Sequence, residues 1–513
     1  MSARGLHIHY PDTSVRRLPS DQGSKLDKAI VVGLLVALVF SALAHGAVES
    51  WSVAIFELIV LALMLLWAIK MVAVSYVEIR LPATALPLVA LLGVGIAQSL
   101  AFADSTGRTS SLSMDVEATR TATLALLFLI VCFVIAVNFF ADREQLQWLA
   151  SFLIFYGMAL AVFALVQHFT WNGRFYWLRP DTADRSTPFG PFVNRNHFAG
   201  YMELLMPLPV AMVITGAVSR DKRLLYSFAA TIMSVAAVVS LSRGGMLALA
   251  GEMIFIAILS VIAKRTPSRG ATDRHREKAI REDGETGEEV TLASPGPSVS
   301  ASLRAFAFTI LLAALIVTGI LWIGSEPVVN RLLPSQAPGT RAKTETFFTS
   351  RGWIWRDTVA MIRANIILGV GLGAYETAYP IYSRDDGSLL LGQSYAVDRA
   401  HNDYLQILAD CGVVGGALAL WFIVLLFKAV ARGIRSRDRL AAGMALGCGG
   451  GLFGMLVHSF FDFNLQLPSN ALLFLLLAAI ASWSGTSQQL SGRGFSRRVP
   501  SDRRPIDQEG VSL

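Results

Sequence analysis

A chain of 513 residues that is 54% hydrophobic and 16% charged lacks the roughly 25% charge of a soluble domain, so a soluble globular enzyme is excluded. Its net charge of +7 does not point to nucleic acid, because the basic residues fall in short loops between apolar runs, a pattern of membrane orientation. Three scattered cysteines, Cys132, Cys411 and Cys448, argue against a disulfide framework or a metal site.

Residues 1–28 are polar and read as a cytoplasmic tail. No small-residue cleavage site follows, so the first apolar run is kept as a helix. A span needs about 20 apolar residues. By that measure about twelve follow, near 29–48, 51–73, 81–102, 119–140, 146–169, 197–217, 224–242, 244–263, 303–323, 403–428, 440–460 and 469–485. The run 224–263 is broken only by Ser242-Arg243-Gly244-Gly245. One continuous helix would put Arg243 near mid-bilayer at about 2.5–3.5 kcal/mol, so two helices meeting at a Gly-Gly hairpin are expected.

The expected organisation is an all-α integral membrane protein with helices one to eight over 29–263, a flexible cytoplasmic loop over 264–302 and helix nine over 303–323. A large helical periplasmic segment over 324–402 then leads to helices ten to twelve over 403–485, and 486–513 forms a disordered cytoplasmic tail. With both termini cytoplasmic, most of the 44 Lys and Arg residues lie inside, as the positive-inside rule asks. Those outside are nearly all arginine, whose planar fork suits bidentate phosphate binding. The 324–402 segment carries Trp353, Trp355, Tyr375, Tyr379, Tyr382 and Tyr395, and its 351–368 part has the spacing of an amphipathic helix lying on the membrane. Such aromatics are commonest as interfacial belts.

Four positions share the outer face in this topology. Arg195 precedes the sixth span, Arg243 sits at the hairpin, Arg351 opens the amphipathic helix and His401 begins the tenth span. Asn402 or Asp403 can cap that tenth helix. His401 then stands at a helix N-terminus, which disfavours imidazolium and suits a neutral, proton-accepting ring. Arginines at a water-filled vestibule can hold an anionic phosphate group without a metal. Asp385-Asp386, followed by Gly387, reads as a solvated turn, so no metal and no cofactor is expected.

Glu203 and Glu252 fall inside apolar spans, where ionisable groups face a cavity or a partner. Each can orient an arginine or make a structural pair. His458 and Asp462 close the eleventh span, with Asp462 placed to hydrogen-bond His458 or to anchor Arg243. His168 and His45 read as structural. Gly369-Val370-Gly371-Leu372-Gly373 lacks the strand–turn–helix context of a phosphate loop and reads as a flexible turn.

Several of these pieces together resemble the bacterial O-antigen ligase and polysaccharide polymerase superfamily. They are Phe192-Val193-Asn194-Arg195-Asn196-His197, Leu241 to Gly245, the Arg351-Gly352-Trp353 helix, Gly369 to Gly373, and His401-Asn402 followed, after a gap of nine residues, by Gly412-Val413-Val414-Gly415. The run from His458 to Pro468 completes them, and the likeness covers about 185–470. The resemblance implies a glycosyltransferase of the bacterial inner membrane that works on the periplasmic face, inverts the anomeric carbon and needs no metal. It would move a glycan from undecaprenyl diphosphate to a hydroxyl of lipid A-core or of a growing polysaccharide. It also implies that Arg195 and Arg243 hold the diphosphate with Arg351 in support, and that His401 activates the acceptor. Asn402, Glu203, Glu252, His458 and Asp462 would support them. A transporter or flippase of the same lipid-linked glycans is the alternative. The expected partners are the donor, the acceptor and membrane lipids, not nucleic acid.

Overall fold

The computed structural model describes residues 6–8, 20–74, 77–103, 109–140, 142–180, 188–265, 347–384 and 397–484. The predicted ninth span at 303–323, almost all of the 264–302 loop, Asp385-Asp386, Tyr395 and the 486–513 tail lie outside these residues. The described chain is helical apart from three short antiparallel strand pairs, Leu6–Ile8 with Val77–Ile79, Ala101–Ala103 with Thr109–Ser111, and Arg174–Phe175 with Arg179–Pro180.

The helices are α1 (Ser20–Leu43), α2 (Ser50–Val74), α3 (Ala85–Ser99), α4 (Val116–Phe139), α5 (Arg143–Phe169), α6 (Arg195–Leu205), α7 (Pro207–Thr215), α8 (Arg223–Val239) and α9 (Arg243–Arg265). They continue as α10 (Phe347–Ala364), α11 (Tyr375–Tyr382), α12 (Asp403–Ile434), α13 (Arg439–His458) and α14 (Pro468–Ser484). Among the described residues nine helical stretches are long and apolar enough to cross a membrane, with α6 and α7 counted as one. A helix satisfies its own backbone donors and acceptors, which hydrocarbon cannot do for it. The expected spans at 81–102 and 469–485 are shorter, α3 having 15 residues and α14 having 17. At about 1.5 Å per residue neither reaches the roughly 30 Å of a hydrocarbon core. For α3 the cause is local: the chain turns at Pro82–Thr84, and Leu100 is already extended at the other end.

The 224–263 run divides into α8 and α9 at Ser240–Ser242, where Leu241 adopts φ +57°. The two glycines are not the turn. They lie in the first helical turn of α9, where a Cβ on Gly244 would stand 2.9 Å from Nε2 of His458 and one on Gly245 2.9 Å from Oε1 of Glu203. Ser242 caps the helix, its Oγ accepting from the N–H of Gly245 at 3.2 Å.

Central to the bundle is α13, which packs on α6, α7, α9, α12 and α14. Its glycines permit that crowding, as small residues do between membrane helices. A Cβ on Gly451 would meet the Leu204 carbonyl oxygen at 2.6 Å, and one on Gly447 the Leu208 Cα at 2.9 Å. One end of α13 begins at Arg439, beside Arg223 and the end of α7 at Gly216. At its other end His458 meets Glu203 of α6 and the N-terminus of α9, and Ser459 just beyond it meets the N-terminus of α12. The bundle therefore has a basic end, with Arg143, Arg220, Lys222, Arg223, Arg437 and Arg439, and an opposite end where the sequence-flagged positions collect.

Candidate active site

The second end is organised by the start of α12. Asn402 is the cap: its side-chain oxygen accepts from the N–H groups of Tyr404 and Leu405, both at 3.0 Å, while its amide donates to the Phe460 carbonyl at 3.2 Å. Asp403, the other candidate cap, turns back to the α13–α14 connection. It accepts from Ser459 Oγ at 2.9 Å and from the Leu465 N–H at 3.3 Å, and its own N–H donates to the Ser459 carbonyl.

Nine residues intervene between Asn402 and Gly412, where the helix breaks with a φ of 60° and ψ of −161° that suit glycine alone. The carbonyls of Ala409 and Asp410, freed at the break, accept from the N–H groups of Val370 and Gly371 at 2.9 and 3.0 Å. Val413 donates in turn to the Ile366 carbonyl at 2.9 Å. Gln98 locks the same loop, donating to the Leu368 carbonyl at 2.6 Å and accepting from the Leu372 N–H at 3.0 Å. The 369–373 stretch is therefore a clip inserted in a broken helix and not the flexible turn expected for it. The nine-residue spacing is the length of the short helical segment between cap and break. That segment fixes where His401 stands.

His401 itself sits at φ +51°, an uncommon conformation for a non-glycine residue and one that marks functional sites when the surroundings impose it. Here Gln406 Oε1 accepts from the Ala400 N–H at 2.8 Å and Trp355 Nε1 donates to the Ala400 carbonyl at 3.0 Å, so both backbone groups before the histidine are held. Trp355 is thus a brace and not merely part of an interfacial belt. The imidazole is 28% exposed and its Nδ1 donates to Asp462 Oδ1 at 3.1 Å. A carboxylate at Nδ1 fixes the tautomer, so in the neutral ring the lone pair is on Nε2.

Asp462 is fully buried and gathers the site. Besides His401 it accepts from Asn196 Nδ2 at 2.6 Å, Arg351 Nη2 at 3.5 Å and the Phe463 N–H at 3.0 Å. Burial is the largest influence and opposes its charge. The His401 hydrogen bond and the fields of Arg351, His401 and His197 outweigh it, holding the carboxyl well below its ordinary value. The expectation that Asp462 would bond His458 is corrected. His458 Nδ1 donates instead to Glu203, 3.1 and 3.0 Å from its two oxygens, with both side chains buried. Glu203 consequently pairs with a histidine and not with an arginine. Glu252 is fully buried against Gly454, and among the described residues neither of its oxygens has a hydrogen-bond partner.

Asn196, Arg243, Gly244, Arg351, His458, Phe461 and Asp462 line a small cleft of about 50 Å³. Arg243 and Arg351, far apart in sequence, therefore share it with a carboxylate, and the α9 N-terminus adds its own positive field. Arg195 opens α6 but does not line the cleft. Successive residues of a helix diverge by about 100°, and it is Asn196 that the Asn194 cap turns toward Asp462. Asn196, Phe461 and the anchoring role of Asp403 were missed in the sequence. For Asn196 and Asp403 the signal was adjacency, since each directly follows a residue already singled out. Among the described residues no group of three or more His, Cys, Asp or Glu side chains is disposed to hold a metal ion.

Fold and site together define a polytopic membrane protein with a cation-lined cleft at one end and a carboxylate-oriented histidine beside it. Residues 228–420 match the family described as O-Antigen ligase, and over that region the chain is similar to that family. No curated protein matches it.

Proposed function

We propose that the protein is an inverting, metal-independent glycosyltransferase that takes a glycan from undecaprenyl diphosphate and attaches it to a hydroxyl of lipid A-core or of a growing polysaccharide. The family match supports the glycosyltransferase class. The observation that carries the mechanism is the His401–Asp462 pair standing beside a cleft lined by Arg243 and Arg351. His401 Nε2 takes the proton of the acceptor hydroxyl as its oxygen bonds to the anomeric carbon. The bond from that carbon to the diphosphate oxygen breaks on the opposite side, its electron pair leaves with the lipid diphosphate, and the configuration inverts. General-base help of this kind is worth about 10²–10⁴-fold. Charge grows on the diphosphate as the bond breaks, and fixed guanidinium groups stabilise it where it grows. The concentration of lysine and arginine at the other end supports an orientation with that end and both termini cytoplasmic and the cleft periplasmic, in a bacterial inner membrane.

Purified protein in detergent, given a lipid-linked glycan and candidate acceptors, is expected to transfer glycan with inverted linkage. Movement of the donor across vesicles without transfer would establish the transporter reading instead. EDTA is expected to leave the rate unchanged, and recovery by a divalent ion after EDTA inactivation would overturn the metal-free chemistry.

A further inference from the structure

The cleft has a third nitrogen donor to which the mechanism above gives no task. His458 ends the central helix and lines the cleft with Arg243 and Arg351. Its Nδ1 is committed to Glu203, so only the Nε2 edge of the ring can serve a ligand. That edge lies against the first turn of α9, where Arg243 begins the helix, as the 2.9 Å approach of a Gly244 Cβ shows. Behind the ring stand two fully buried carboxylates, Glu203 and Glu252, near enough to each other to interact electrostatically. Buried charge persists where it is paired, and Glu203 is paired with the ring at Nδ1. A cationic ring between Glu203 and an anion in the cleft would satisfy both sides. The other charge on the cleft wall, Asp462, is already met by His401, Asn196 and Arg351.

We propose that His458, held by Glu203, is a diphosphate-binding residue that donates from Nε2 to the same anion as Arg243 and Arg351. This rests on the reading of the cleft as the diphosphate site. Glu203 is then a positioning residue, acting only through the ring.

The test is binding of inorganic pyrophosphate to the full-length purified protein, followed by titration calorimetry with thermal unfolding measured beside it. His458→Asn keeps an amide where Nδ1 was, able to reach Glu203, but has nothing at Nε2. Its affinity is expected to fall about tenfold. His458→Gln places an amide nitrogen near Nε2 and is expected to retain more of the affinity than Asn. Should the Asn variant fail to fold, a His458→Phe variant, which keeps a ring but has no donor at Nε2, overturns the proposal if it binds as tightly as the unmutated protein with no change on mutating Glu203 to Gln. So does an unchanged affinity in folded His458→Asn. If Arg243→Ala abolishes binding while both His458 variants bind normally, the cleft reading stands and this inference alone falls. If the unmutated protein binds no pyrophosphate, both fall.

Discussion

Both ends of the bundle carry arginines, and the contrast between them separates charge that orients a protein from charge that binds a ligand. At the basic end Arg143 and Asp438 approach to 3.4 Å with side chains 67% and 40% exposed, a pair worth at most about 1 kcal/mol. At the other end Arg351 is 14% exposed and Asp462 fully buried. The carboxylate there is shared among an arginine, a histidine and an asparagine that come from three separate parts of the chain. A charge left without partners in such a place costs several kcal/mol. Arginine count alone does not distinguish the two ends; burial and shared acceptors do.

If that contrast is right, the largest effect belongs to His401→Ala, expected to lower glycan transfer by about 10²–10⁴-fold with membrane insertion intact, as followed by single-turnover transfer. Asp462→Asn comes next, about 10²-fold, because the tautomer of His401 is no longer fixed. Its pH dependence sharpens the point. A carboxyl held below its ordinary value of 3.8 contributes stability that is present above that value and lost only as pH falls through the still lower folded one. Between pH 5 and 8 Asp462 therefore stays ionised, and any acid limb of the rate profile in that window must survive in forms that keep Asp462. Gly412→Ala follows. A Cβ there would stand 2.3 Å from the Ile367 carbonyl, so the clip must open, and a loss of about tenfold in rate together with about 1–3 kcal/mol of stability is expected from thermal unfolding and transfer. Arg143→Ala at the basic end should change neither rate nor unfolding temperature measurably, and a large effect there would erase the distinction between the ends.

Much of this was legible in the sequence, and what was not has a physical reason. Apolar length marked out most of the helices, and the cost of burying Arg243 forced the break between α8 and α9. Cap chemistry located the start of α12. Partner choice was harder to read. Asp462 and His458 are four residues apart on one turn, which invites pairing them, yet packing of α6 and α12 against α13 sends one to Glu203 and the other to His401. Likewise Gly369 to Gly373 carries loop residues with no local sign that a broken helix would take them up. Gln98, on α3, joins that clip from more than 250 residues away.

The most direct test separates the roles assigned to the two kinds of side chain at the cleft, by measuring kcat and donor KM for His401→Ala and Arg243→Lys side by side. His401→Ala should lower kcat with donor KM unchanged. Arg243→Lys, which keeps charge but loses the guanidinium fork, should raise donor KM as well as lower kcat. If both variants turn over at the unmutated rate with unmutated KM, neither the histidine nor the arginine does what the geometry assigns to it.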